Sequence, residues 1–187
     1  MAGTTDETSL PAFEIEITSQ GWITAEPSSE LDDLCSHGNL RLVIDGRVVG
    51  PGDGGDNYTL STSALALLRT LESDHVPGPG TENLIVHCGG LLMLSCPIGI
   101  DWQIVHSDGR VRLSDVVRYD TVDVGEATRF PGLVAELSEA EYRRKVAAFA
   151  RSAKKPFIGL EKRFHDGVDR QDYEAFWAEY DERLRRV

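Results

Sequence analysis

The chain has 187 residues, a length for which one domain is the default, and burial of about 70% of the unfolded surface stabilises such a chain without disulfide or metal. Its formal net charge of −12 excludes nucleic acid as a natural partner, its three cysteines form no secreted disulfide framework, and no apolar run is long enough to span a bilayer. A cytoplasmic protein with no membrane partner is expected.

Residues 1–12 are polar and aperiodic, which predicts a disordered tail, with a single domain over 13–187. Phe13-Glu-Ile-Glu-Ile17 alternates apolar and acidic residues as a half-buried strand does, and Gln20-Gly21 is expected to break it before a short piece at Trp22-Ile23. Residues 26–39 read as a loop with a helical turn near Ser29. Residues 40–49 read as a hairpin about Asp45-Gly46, because Asp-Gly tolerates the positive φ that tight hairpin turns demand.

Gly50–Asn57 is a Gly-rich surface turn. Asp53, Asp56 and Asn57 offer oxygens to calcium, but the ligand alternation of an EF-hand loop and its closing Glu are missing. A helix follows, capped by Ser61 or Ser63, with Ala64, Leu67, Leu68 and Leu71 on one face and His75 at its C-terminal end. Pro77-Gly-Pro-Gly80 closes this unit.

The centre of the chain is 84–119, where apolar runs rich in β-branched residues are cut by Gly-Gly, Pro and Asp-Gly. Trp102–His106 and Arg110–Leu113 around Asp108-Gly109 form the clearest hairpin, with Ile104, Val111 and Leu113 lining one face. Leu133–Ala135 is a last short strand. Ser138-Glu-Ala-Glu141 then has the spacing of a capping box and opens a helix to about Lys154, with Tyr142, Val146, Phe149, Ala150 and Ala153 as its buried stripe. Arg144, Arg151 and Lys155 fall on the opposite side, a basic stripe that reads as a solvated face. Asp169 is expected to cap the final helix, whose Tyr173, Phe176, Trp177, Tyr180 and Leu184 repeat at three and four residues. Such a stripe is core or a homodimer contact. The predicted fold is α+β: an antiparallel sheet of about five to seven strands against about three helices, two of them C-terminal.

Charge is unevenly divided. Residues 1–134 carry 20 acids against 7 arginines, or −13, and residues 135–187 carry 11 acids against 12 basic residues, or +1. The surplus therefore sits on the strand-rich part and attracts a basic protein partner. Glu30, Asp32, Asp33, Asp53 and Asp56 are the candidate contact residues. This pattern suits a binding module such as an immunity-type inhibitor of a basic toxin or nuclease.

The alternative is a zinc-binding or cysteine-dependent enzyme or sensor centred on Cys88. Cys35, His37, Cys88 and Cys96 supply the ligand types zinc prefers, provided the loop 34–38 lies over the loop 88–96. No zinc-finger spacing is present, and small buried cysteines explain the same residues. For a thiol nucleophile, Cys88 precedes Gly89-Gly90, with His37 or His106 as base, but no helix N-terminus follows it. The remaining carboxylates are too many for any one to stand out, and no hydrolase, nucleotide-binding or kinase signature occurs. Cofactors are therefore not expected.

Overall fold

The computed structural model describes residues 10–23, 26, 28–50, 57–78, 81–87, 91, 96–121, 123 and 126–187. Strand β1 (Phe13–Gly21) turns its odd residues inward over its first half, so that Phe13 and Ile15 are buried while Glu16 is exposed. It pairs antiparallel with β2 (His37–Ile44) from Phe13↔Ile44 to Gly21↔His37. The strand does not break at Gln20-Gly21: a register shift between Ile17 and Ser19 absorbs the irregularity, and both residues stay in the ladder. Gly38 is required at this point, because a Cβ there would lie 2.0 Å from the carbonyl oxygen of Ser19.

The free edge of β2 takes two short strands, β3 (Arg47–Val48) and β4 (Tyr58–Thr59). Asp45 and Gly46 both hold positive φ, 50° and 69°, as the predicted hairpin requires. A single helical turn, α1 (Ser29–Asp32), lies in the loop between β1 and β2.

A second antiparallel sheet runs β5 (Ile85–Val86), β6 (Gly99–Ser107), β7 (Arg110–Tyr119). Its far edge is shared by β8 (Thr128–Arg129) and β9 (Ala135–Ser138), each pairing with a different part of β7. The turn between β6 and β7 again holds positive φ at Asp108 and Gly109, 51° and 72°. The α+β class, the antiparallel pairing and the two C-terminal helices agree with the sequence. The strands, however, fall into one sheet of four and one of five. Hydrophobic alternation fixes which face of a strand is buried, not which strand lies beside it.

Helix α2 (Leu60–Arg69) joins the two sheets. Its N-cap is Thr59, which makes no side-chain cap bond, so neither Ser61 nor Ser63 has the expected capping role. Both lie inside the first turn. Ser61 Oγ accepts the Ser36 N–H at 3.1 Å, at the start of the first sheet, and Ser63 Oγ accepts the Val86 N–H at 3.0 Å in the second.

Helix α3 (Glu139–Lys154) starts where the capping motif places it, with Ser138 Oγ accepting the Glu141 N–H at 3.2 Å. Its five predicted stripe residues are all buried. A 3-10 turn (Lys155–Phe157) leads to α4 (Gly167–Arg185). Asp166, not Asp169, caps α4, its carboxylate accepting from the N–H groups of Val168 and Asp169 at 2.8 and 2.9 Å. Two acids three residues apart satisfy the same sequence rule, and only the one outside the first turn has the extended backbone a cap needs.

One contiguous core draws on both sheets, α2, α3 and α4. Trp102 on β6 and Phe13 on β1 meet within it, ring centroids 6.4 Å apart, and Tyr142 of α3 stacks against Phe13 at 5.6 Å. Among the described residues no helix is long and apolar enough to cross a membrane.

Candidate functional site

The acids around α1 are tied to the segment between α3 and α4. Arg163 places two N–H bonds of 2.8 Å on the Asp32 carboxylate. The Lys162 ammonium donates to the carbonyls of Glu30 and Asp33, both at 2.6 Å, and lies 3.6 Å over the Trp22 ring. Burial pulls Lys162 down to about 8, against the opposing charges of Asp33 and Glu30. Asp33 accepts the N–H groups of Ile23 at 2.8 Å and Cys35 at 3.1 Å, and His37 Nε2 lies 3.3 Å away. Burial works to raise its carboxyl, but the bonds from His37, Ile23 and Cys35 outweigh burial and hold it below the ordinary carboxylate range. Of the five acids nominated by sequence, Asp32 and Asp33 thus have partners in their own chain and Glu30 is exposed. Asp53 and Asp56 lie outside the described residues.

Cys35 is buried to 3% exposure with its Sγ 3.9 Å from the Thr62 hydroxyl, and burial pushes its thiol up to about 12. A thiol held protonated is a poor nucleophile and a poor metal ligand. Cys96 is a half-buried free thiol, and Cys88 lies outside the described residues. Among the described residues no three His, Cys, Asp or Glu side chains converge as a metal site. Histidines 37 and 106 are both engaged, the first with Asp33 and the second through Nε2 with the Thr70 carbonyl at 2.8 Å. The loops carrying His37 and His87 do approach each other through β4: His37 pairs with Thr59, whose hydroxyl donates to the His87 carbonyl at 3.4 Å.

The aromatic stripe of α4 is turned into the molecule. Phe176 and Tyr180 are buried, the Tyr180 hydroxyl donates to the Ala150 carbonyl at 2.7 Å, and Trp177 packs on Phe157 with centroids 4.6 Å apart. Arg144 and Arg151 on α3 and Lys155 at the start of the 3-10 turn are exposed and form no ion pair among the described residues.

Two features of the second sheet escaped the sequence reading. His75 is not a helix-end residue: α2 stops at Arg69, and His75 bridges to Ile104 of β6. Its Nε2 lies 2.7 Å from Asp101 Oδ1, which also accepts the Trp102 N–H at 3.0 Å.

The second feature is a bulge in β7. Gln103 pairs with Ser114 and Asp101 with Val117, so that Trp102 alone faces both Asp115 and Val116. Asp115 holds φ 51°, outside the extended region of its neighbours. The extra residue moves β7 by one step: Val111, Leu113 and Val116 face the core, while Arg112, Ser114 and Val117 share the opposite face with Gln103 and Asp101, where Ser114, Val117 and Asp101 are nonetheless buried. The broken alternation of Leu113-Ser-Asp-Val-Val117 was the available signal.

Beside this bulge the edge of β7 is left open, since β9 pairs only as far as Leu113 and β8 begins at Val117. The turn Phe130–Leu133 bows around the gap, anchored by the Phe130 N–H on the Val116 carbonyl at 3.1 Å. The resulting notch has a cavity volume near 500 Å³ and is lined by Arg112, Ser114, Asp115, Arg129 and Phe130 among others. Comparison of the chain with models of known protein families, with curated proteins and with solved structures finds no match.

Proposed function

We propose that this chain is a protein-binding module of the cytoplasm that recognises a basic partner through its strand-rich part, in the manner of an immunity-type inhibitor of a basic toxin or nuclease. The observation that carries the reading is the charge partition, −13 over residues 1–134 and +1 over 135–187. The way the cations are used supports it. Arg163 neutralises Asp32, and Arg183 and Arg186 both hold Glu72, so these three cations of the C-terminal part are already engaged by acids of the strand-rich part. Asp45 at the β2–β3 turn and Asp108 at the β6–β7 turn form no ion pair among the described residues, nor does Glu16 on β1, since Arg41 opposite it in the ladder is bonded to Glu14. These three acids, rather than Asp32 and Asp33, are the contact residues we assign.

The test neutralises them without disturbing the turns, as Glu16→Gln, Asp45→Asn and Asp108→Asn; Asn tolerates positive φ as Asp does. Proteins retained from a cell extract by the native chain, then purified, should bind the triple variant with an association rate at least about fivefold lower at low salt and a flatter salt dependence. Equal rates and equal salt slopes for the two chains would refute the reading.

A further inference from the structure

We propose that the notch in the edge of β7 binds a small amino-acid-like zwitterion, its carboxylate held by Arg112 and Arg129 and its ammonium by Asp115. This site does not depend on the charge partition above and takes a different kind of ligand.

Four observations support it. The notch is built by the fold: β8 and β9 leave the edge of β7 at Ser114–Val116 unpaired by strand, and the Phe130–Leu133 turn walls the opening. Its volume, near 500 Å³, accommodates an amino acid with a large side chain. Second, its floor is fixed, because the Ser114 hydroxyl, on a residue only 7% exposed, donates to Gln103 Oε1 at 3.0 Å.

Third, the guanidinium groups are available. Arg129 has no carboxylate partner among the described residues, and Arg112 meets Glu136 only at 3.6 Å with both side chains about half exposed. The planar fork of Arg matches a carboxylate bidentately, which favours carboxylate over a spherical anion. Fourth, Asp115 is held in a left-handed conformation by the bulge and is exposed in the same cavity. Asp tolerates this conformation, and the bulge that imposes it re-aims the carboxylate relative to its strand neighbours. A carboxylate there disfavours a dianion and selects a ligand that brings its own cation. Phe130 and Leu133 leave part of the wall apolar for the ligand's side chain.

The experiment uses the full chain and three probes by calorimetry: L-phenylalanine, 3-phenylpropanoate, which lacks the ammonium, and phenethylamine, which lacks the carboxylate. Saturable binding of phenylalanine is expected, with at least about tenfold weaker binding of each single-charge analogue. Arg129→Gln should weaken phenylalanine about tenfold, and Asp115→Asn, which retains the left-handed backbone, should erase the preference for phenylalanine over 3-phenylpropanoate. Absence of saturable phenylalanine binding up to about 10 mM, roughly tenfold above the upper end of ordinary substrate constants, equal binding of the two carboxylates by the native chain, or an unchanged preference in folded Asp115→Asn would overturn the proposal.

Discussion

The contact between α2 and α3 includes a buried hydroxyl relay whose energetics can be worked out from its hydrogens. Thr70 Oγ1 lies 2.7 Å from the Leu67 carbonyl and 2.7 Å from the Tyr142 hydroxyl, with Thr70 and Tyr142 at 3% and 0% exposure. Thr70 has one hydroxyl proton, and the carbonyl can only accept. Thr70 therefore donates to Leu67, and Tyr142 donates to Thr70. Tyr142→Phe removes one neutral hydrogen bond and leaves Thr70 satisfied, which should cost about 1 kcal/mol.

Thr70→Val keeps the shape but removes both bonds and strands the Tyr142 hydroxyl in the core, which should cost roughly 2–3 kcal/mol. The Leu67 carbonyl retains the Thr70 N–H at 3.1 Å, so it adds little. In the Thr70→Val background Tyr142→Phe should then be close to neutral or favourable, a coupling of about 1 kcal/mol or more. Urea unfolding of the four chains at pH 7 measures it, and each kcal/mol corresponds to a melting shift of about 2–4 °C for a domain of this size. A Thr70→Val chain no less stable than Tyr142→Phe, or strictly additive losses, would refute the donor assignment.

Other consequences follow from the same geometry. Arg69 and Arg183 hold Glu179 down to about 2. Because its folded pKa lies below the unfolded one, its stabilisation is complete above about 4.5 and is lost as pH falls towards 2; solvent screening of this partly exposed pair keeps the effect near 1 kcal/mol. Glu179→Gln should flatten the acid limb of stability against pH between those values, and an unchanged limb would count against the clasp. Cys35 should resist alkylation at pH 8 in the folded chain while Cys96 reacts, with per-residue mass spectrometry as the readout; equal rates would place Cys35 at the surface. Gly38→Ala forces a Cβ against the Ser19 carbonyl and should cost about 3 kcal/mol or prevent folding, whereas Gly109→Asn, at a left-handed turn position with nothing within 4 Å, should stay within about 1 kcal/mol of the native chain.

What the sequence made legible was local. The two Asp-Gly hairpins, the Ser138 cap and the α3 stripe each rest on a few neighbouring residues, and each appears where those residues place it. Sheet membership was not legible, because the joint between the sheets is two serines on α2 that read as caps in the sequence and act as acceptors for Ser36 and Val86 in space. The acidic pair Asp32-Asp33 looked free for the same reason. Its partners Arg163 and His37 lie 131 and four positions away, and nothing local marks the distant one. At Asp115 the broken alternation was visible, but its meaning depended on β8 and β9 leaving the adjacent edge open.

The most direct test of recognition by the strand-rich part is the association rate of its purified partner with the native chain and the Glu16→Gln, Asp45→Asn, Asp108→Asn chain, followed by stopped flow from 20 to 300 mM salt, a range over which the screening length falls from about 20 to about 6 Å. The native chain should show a fast, steeply salt-dependent rate and the variant a slower, flatter one, the two converging at high salt. Superimposable curves would contradict recognition by the strand-rich part.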